Sequence, residues 1–187
     1  ATPDQIHAAA AAGAVLSTHL GNGVAGMLPR HPNVLWAQLA DDRLSATFIA
    51  DGHHLPGDAL HSMIRAKGID RSILVSDTAA LGGLPPGQYD TPVGGRVLLD
   101  ENGRLALMDL PFLAGAALPL KDGVARAVRD AAISLADAVR MATANPARFA
   151  GGGGVLAVGE RADLIRFRWQ PGDDRLAIDE RWLAGAS

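Results

Sequence analysis

The stretch Arg71-Ser72-Ile73-Leu74-Val75-Ser76-Asp77 runs through consecutive aliphatic residues and then ends on a carboxylate. Upstream, Leu44 to Ala50 is a second apolar stretch, and it ends in Asp51-Gly52-His53-His54. Further upstream, Ala14-Val15-Leu16-Ser17-Thr18 reads as a brief buried strand that ends at His19. The segments between and before them read as helices. Thr2 to Gly13 opens with a capping Thr and a Pro at the first helical position. A helical stretch spans Asn33 to Leu39, and another starts at Pro56 and Asp58, turns Leu60, Met63 and Ile64 inward, and stops at Gly68. Continuously apolar strands alternating with helices predict parallel β/α units with both sheet faces covered, so the expected class is α/β. In β/α barrels the active site is assembled at the C-terminal ends of several strands. Three consecutive strands here deliver His or Asp at that end.

The second half follows another pattern. Val93 to Asp100 and Arg104 to Met108, joined through Glu101-Asn102-Gly103, predict a β-hairpin with an Asn-Gly turn. Leu120 to Ala132 is expected to be helical. Ser134-Leu135-Ala136-Asp137 resembles a capping box and opens a helix to Asn145, which Pro146 ends or kinks. Gly151 to Gly154 is a flexible junction, after which Ala162 to Trp169 and Arg175 to Trp182 are expected to be strands around a Pro171-Gly172 turn. The expected domain organisation is therefore residues 1–150 and residues 151–187, the latter part of a small β-domain.

The chain's 187 residues, 48% of them hydrophobic, suffice for one ordinary domain with a core. A net charge of −3, no basic block and only 4% aromatics leave no footprint of a nucleic-acid binder. The absence of cysteine excludes disulfides, thiolate metal sites and a Cys nucleophile, and fits a reducing compartment, so the expected location is cytoplasmic. No apolar run approaches the roughly 20 residues that span a bilayer, so no membrane partner is expected. The N-terminus carries no signal-peptide pattern and opens almost directly into a helix. It reads as the middle of a longer polypeptide, a processed natural start being the alternative.

Among residues able to do chemistry, His19 opens onto a loop rich in glycine (Gly21, Gly23, Gly26), where a metal or substrate can approach closely. It is a ligand or a hydrogen-bonded structural histidine, and local sequence does not choose. Asp77 is costly to bury unpaired, so it faces a metal, a cation or solvent, or caps the turn that follows. Asp51-Gly52-His53-His54 either aims one histidine into a pocket or forms a polar surface loop. Arg30, beside Pro29 and Pro32, together with Asn22 and glycine N–H groups, would suit a phosphate. A catalytic zinc site needs about three protein ligands, and no His-x-His pair is present, so the ligand set is incomplete as written.

These residues resemble a family. Thr18-His19-Leu20-Gly21-Asn22-Gly23 is similar to the Thr-His-Leu-x-Asn-Ala segment of N-acetylglucosamine-6-phosphate deacetylases. Ile49-Ala50-Asp51-Gly52-His53-His54 is similar to that family's Ile-Ala-Asp-Gly-x-His, and Leu74-Val75-Ser76-Asp77 to its Leu-Val-Thr-Asp. Phe112-Leu113-Ala114-Gly115 resembles its Thr-Leu-Ala-Gly loop, and Met141 to Ala147 and Gly159 to Leu164 resemble signatures shared widely among amidohydrolases. The resemblance implies a partial (β/α)8 barrel, about its last three strands, with part of a small β-sandwich.

It also implies residue roles. His19 would bind the metal and Asp77 would be the catalytic acid/base. His54, Asn22, Gly23, Arg30, Leu113 and Ala114 would contact substrate, with Arg30 reaching a neighbouring subunit. The implied reaction is hydrolysis of the acetamide of N-acetylglucosamine 6-phosphate, a small-molecule amino-sugar phosphate; the alternatives are another amidohydrolase acting on a different N-acyl sugar or a cyclic amide, and a non-catalytic remnant lacking half of the metal site. The implied cofactor is a divalent metal ion, zinc first and iron or cobalt as alternatives, and the implied assembly is a homodimer. The family's other metal ligands would lie upstream of Ala1, leaving this part inactive by itself. Gly21, Gly23, His31 and Ala116 depart from the family's usual aromatic, Ala, Glu and Ser, which bears on the sugar more than on the chemistry.

Overall fold

The computed structural model describes residues 1–92 and 94–184. Val93, the expected first residue of the hairpin, and the end of the expected 151–187 unit beyond Ala184 lie outside the described residues. The elements, in chain order, are α1 (Pro3–Ala11), β1 (Leu16–Ser17), α2 (Val34–Ala40), β2 (Ser45–Ile49), α3 (Gly57–Lys67), a 3-10 turn (Ile69–Arg71) and β3 (Ser72–Val75). There follow β4 (Gly87–Thr91), β5 (Gly95–Leu99), β6 (Arg104–Leu107) and β7 (Leu113–Ala116). The chain closes with α4 (Leu120–Asp130), α5 (Leu135–Ala142), α6 (Ala144–Ala150), β8 (Leu164–Arg168) and β9 (Ala177–Trp182). The molecule is mixed α/β.

β1, β2 and β3 pair in parallel in that order, with Ser17 opposite Ala46 and Ile49 opposite Val75. β2 is buried along its whole length, as a central parallel strand requires. Phe48, Leu60, Ile64, Leu74, Val124 and Met141 join one core between this sheet and α3, α4 and α5. β1 departs from expectation: it pairs over Leu16–Ser17 alone, and Val15 and Leu16 are 51% and 38% exposed. Among the described residues no strand pairs with the outer edge of β1 or of β3.

Local chemistry sets the element ends. Thr2 and Gln5 form a capping box at α1, with Pro3 as its first residue. The Asn33 side chain accepts from the backbone N–H of Leu35 and Trp36 and so starts α2. Lys67, 1% exposed, donates through Nζ to the carbonyls of Gln38 and Asp41 at 2.8 Å each, which satisfies the open end of α2. Ser134 Oγ accepts from the Asp137 N–H at 3.0 Å and opens α5.

The helix expected to run from Ser134 to Asn145 breaks at Thr143, and Pro146 lies in the first turn of α6 instead of ending a helix. That position needs no intrahelical N–H, so proline fits there. Asn145, 2% exposed, donates through Nδ2 to the carbonyls of Ile69 and Ser72 at 2.7 Å each, tying α6 to the entry of β3.

The expected hairpin is present as β5–β6, but it is the centre of a four-stranded antiparallel sheet, β4-β5-β6-β7. The Leu113–Ala114–Gly115 segment is therefore strand, not the loop expected from the sequence. This sheet is inserted between β3 and α4, with a second core of Val97, Leu99, Leu105 and Ala117. β8 and β9 form a two-stranded antiparallel hairpin, and Phe167, Trp169 and Leu176 around it pack on the main core.

Candidate active site

His19, Asp51 and Asp77 each stand two residues beyond the last residue of β1, β2 and β3 respectively. Because the strands are parallel, all three lie at the same edge of one sheet. Two of them have left-handed backbones: φ is +29° at His19 and +50° at Asp77. Such conformations cost energy in a residue with a Cβ and gather at functional sites, and Asp tolerates them better than most.

His19 is half-buried, and its backbone N–H donates to Thr47 Oγ1 at 2.5 Å, pinning the end of β1 to β2. Its Nδ1 is buried with no hydrogen-bond partner. An orphaned imidazole nitrogen of this kind fits a metal ligand, since an unpaired buried polar atom is otherwise costly. The fit extends to one donor. Among the described residues no three His, Cys, Asp or Glu side chains stand close enough together to hold a metal ion.

Asn22 folds back on the same turn: its N–H and its Nδ2 both donate to the His19 carbonyl, at 3.0 and 3.3 Å. Gly21 has φ +95°, a backbone strained for any L side chain, and a Cβ there would push on Leu55 Cδ2 at 2.8 Å and Met63 Cε at 3.2 Å. At Gly23 (φ +67°) a Cβ would stand 3.8 Å from His19 Cε1, in ordinary contact with the ring. Arg30 is exposed, and among the described residues its guanidinium has no partner, while its carbonyl accepts from Asn33 Nδ2.

The turn after β2 is held by hydrogen bonds to one buried carboxylate. Asp51 is 4% exposed, and its Oδ1 accepts from the N–H groups of His53 and His54 at 2.9 Å each. Its Oδ2 accepts from His54 Nδ1 at 2.7 Å. Burial pushes the Asp51 carboxyl up, but the His54 imidazole and the two backbone N–H groups outweigh it and hold the pKa at about 2. The carboxylate fixes the His54 ring and leaves its Nε2 for another partner. His53, half-buried, donates through Nε2 to the Asn102 carbonyl at 3.1 Å. The alternative of one histidine in a pocket and one in solvent is thus replaced by two tethered histidines. The role of Asp51 was missed from sequence, although an Asp followed by Gly-His-His is the pattern of a side chain bonding its own backbone two and three residues on.

Asp77 is exposed, and among the described residues its carboxylate has no hydrogen-bond partner. Its neighbour Thr78 makes a parallel bridge with Ala116, and Thr78 Oγ1 donates to the Leu118 carbonyl at 2.9 Å. The end of β7 is thereby brought beside Asp77, with Leu113 and Ala114 half-buried on that strand.

The chain is similar to known proteins along its whole length. The pattern of the amidohydrolase family matches residues 2–178. An N-acetylgalactosamine-6-phosphate deacetylase of Escherichia coli O157:H7 is 32% identical over 99% of this chain and 48% of its own length. An N-acetylglucosamine-6-phosphate deacetylase of Vibrio furnissii is 31% identical over 97% of this chain and 44% of its own length. A putative N-acetylgalactosamine-6-phosphate deacetylase of Escherichia coli K12, 31% identical, is covered over 96% of its length. Among solved structures, an N-acetyl-D-glucosamine-6-phosphate deacetylase of Mycobacterium smegmatis superposes with a TM-score of 0.87 at 30% identity, over 100% of this chain and 49% of that one. The chain thus spans about half the length of most of these relatives.

Proposed function

Because the chain belongs to the amidohydrolase family, we propose that it supplies one half of an active site that hydrolyses the acetamide of an N-acetylated amino-sugar 6-phosphate. The observation that carries this reading is the placement of His19, the Asp51–His54 pair and Asp77 at one edge of three parallel strands. On this reading those strands are the last three of a (β/α)8 barrel. Residues 1–150 belong to the barrel and 151–187 to a small β-sandwich. The protein acts as a homodimer in the cytoplasm, and among the described residues no helix is long and apolar enough to cross a membrane.

Each residue has a part. The His19 imidazole supplies one bond to a divalent metal, zinc in the first instance, and the other ligands belong to the half of the relatives' length that this chain does not span. When bound, that ion polarises the acetamide carbonyl and acidifies water. The exposed carboxylate of Asp77 accepts a proton from the attacking water and returns it to the departing amine, as general base and then general acid. His54, its Nδ1 held by Asp51, points Nε2 at a sugar hydroxyl. Asn22, the Gly23 backbone and the unpaired guanidinium of Arg30, reaching a neighbouring subunit, hold the phosphate. Leu113 and Ala114 line the sugar from the side of β7.

The relatives named above divide between the glucosamine and galactosamine series, which differ only in the configuration at C4. N-acetylglucosamine 6-phosphate is the substrate proposed here. The test is acetate release by the protein that contains this chain, from both 6-phosphates and both unphosphorylated sugars. Release from the glucosamine phosphate with a strong preference over the free sugar is expected. Indifference to the phosphate rejects the Arg30 and Asn22 assignments, and no release from any of the four rejects the reaction.

A further inference from the structure

The turn between β5 and β6, in the inserted sheet, touches the candidate site on two sides. On one side the Asn102 carbonyl accepts from His53 Nε2 at 3.1 Å. On the other, Gly103 (φ +78°) packs so closely on Leu118 that a methyl group there would overlap its side chain. The Leu118 carbonyl in turn accepts from Thr78, the residue after Asp77. The turn is itself rigid, because Asp100 Oδ1 accepts from the N–H groups of Asn102 and Arg104 at 2.8 and 2.9 Å. A single hydrogen-bonded turn therefore contacts the segment carrying His54 directly and reaches the segment carrying Asp77 through Leu118.

The turn that carries His54 is gripped from a third side. A Cβ at Gly52 (φ +78°) would come within 2.9 Å of Arg126 Nη1, so the guanidinium of α4 lies directly against the glycine. Arg126, Asp51 and Asn102 thus all bear on the turn in which His54 stands. The Asn102 hydrogen bond links it to the insert.

We propose that His53 is a positioning residue: its hydrogen bond to Asn102 lets the inserted sheet fix where His54 stands relative to Asp77. The proposal rests on the deacetylase reading for the roles of His54 and Asp77, but the contact it concerns is measurable without catalysis. His53 touches no substrate; it acts by holding the turn in which the Asp51–His54 pair forms. Preorganised groups gain their effect from such supporting hydrogen bonds.

The experiment is long-range proton–nitrogen NMR on the 187-residue chain, following solvent exchange of the His54 Nδ1 proton. His53→Gln keeps an amide donor close to where Nε2 stands, whereas His53→Glu sets an acceptor against the Asn102 carbonyl. Exchange in the Gln variant is expected to stay within about twofold of the parent. In the Glu variant it is expected to rise at least about fivefold, the factor that loss of one ordinary hydrogen bond sets. Equal exchange in all three proteins overturns the proposal, and so does an equal rise in both variants. If His53→Glu does not fold, Gly103→Ala shifts the same turn from its Leu118 side and is expected to speed exchange likewise; no change there also overturns it. In the protein that contains this chain, kcat is expected to fall in the Glu variant and to be restored by Gln. Absence of any acetate release by the parent protein sinks the deacetylase reading alone, since the exchange result stands apart from it.

Discussion

Asp77 combines exposure, an unpaired carboxylate and a left-handed backbone, so its side chain can be changed with little effect on packing. Asn tolerates that backbone as well as Asp does. Asp77→Asn in the protein containing this chain is therefore expected to lower turnover at least about 10²-fold, within the range for general acid–base groups, with an unchanged melting temperature. Steady-state acetate release and calorimetry check both halves. Asp51 carries the opposite signature: buried, bonded three times and held at about pKa 2 against an ordinary 3.8. A carboxyl depressed in the folded state stabilises above its unfolded pKa and loses that contribution as pH falls through the folded one. Stability is thus expected to drop by about 2 kcal/mol between roughly pH 4 and pH 2. Chemical denaturation across that window, repeated on Asp51→Asn, is expected to show a shallower slope in the variant, the remainder coming from Asp41 and Asp179, whose carboxyls the Arg43 and Arg168 guanidinium groups hold below their ordinary range.

Among the elements, α6 shows how a closing motif can serve the site from a distance. Asn145 is the link, because its amide satisfies two buried carbonyls at the start of the strand that ends near Asp77. Asn145→Ala leaves both acceptors bare and is expected to cost about 2–3 kcal/mol, or about 5–10 °C in Tm. A shift below about 1 °C would mean that water replaces the amide at no cost.

The elements also show what the sequence could reveal. β2, β3, α3 and α5 were legible because apolar periodicity, Gly68 and the Ser134–Asp137 cap are local signals. β4 and β7 were not. Gly87-Gln88-Tyr89-Asp90-Thr91 alternates only half-buried with exposed residues, and Leu113-Ala114-Gly115-Ala116 carries little β-branched character, so both owe their strand geometry to β5 and β6 between them. At the rim, His19 and Asp77 announced themselves as polar ends of apolar runs. The Asp51–His54 bond and the His53–Asn102 contact did not, the second because it joins residues 49 apart in the chain.

For the whole molecule, the donor set is the limiting quantity. One orphaned imidazole with no third His, Cys, Asp or Glu close by among the described residues cannot give the affinity of a three-ligand site. Calorimetric titration of this chain with zinc is expected to show a Kd weaker than about 1 µM, with the residual binding lost in His19→Ala. Tight one-to-one binding would point to donors beyond those named.

The bare outer edges of the parallel sheet carry a separate consequence. Among the described residues no strand pairs with those edges, Val15 and Leu16 are exposed beside one of them, and an extended peptide of suitable hydrophobicity can lay itself along it. Self-association is the default fate of such a surface. Light scattered by the purified chain is therefore expected to climb faster than linearly with concentration, and to stay linear once another polypeptide has filled that margin.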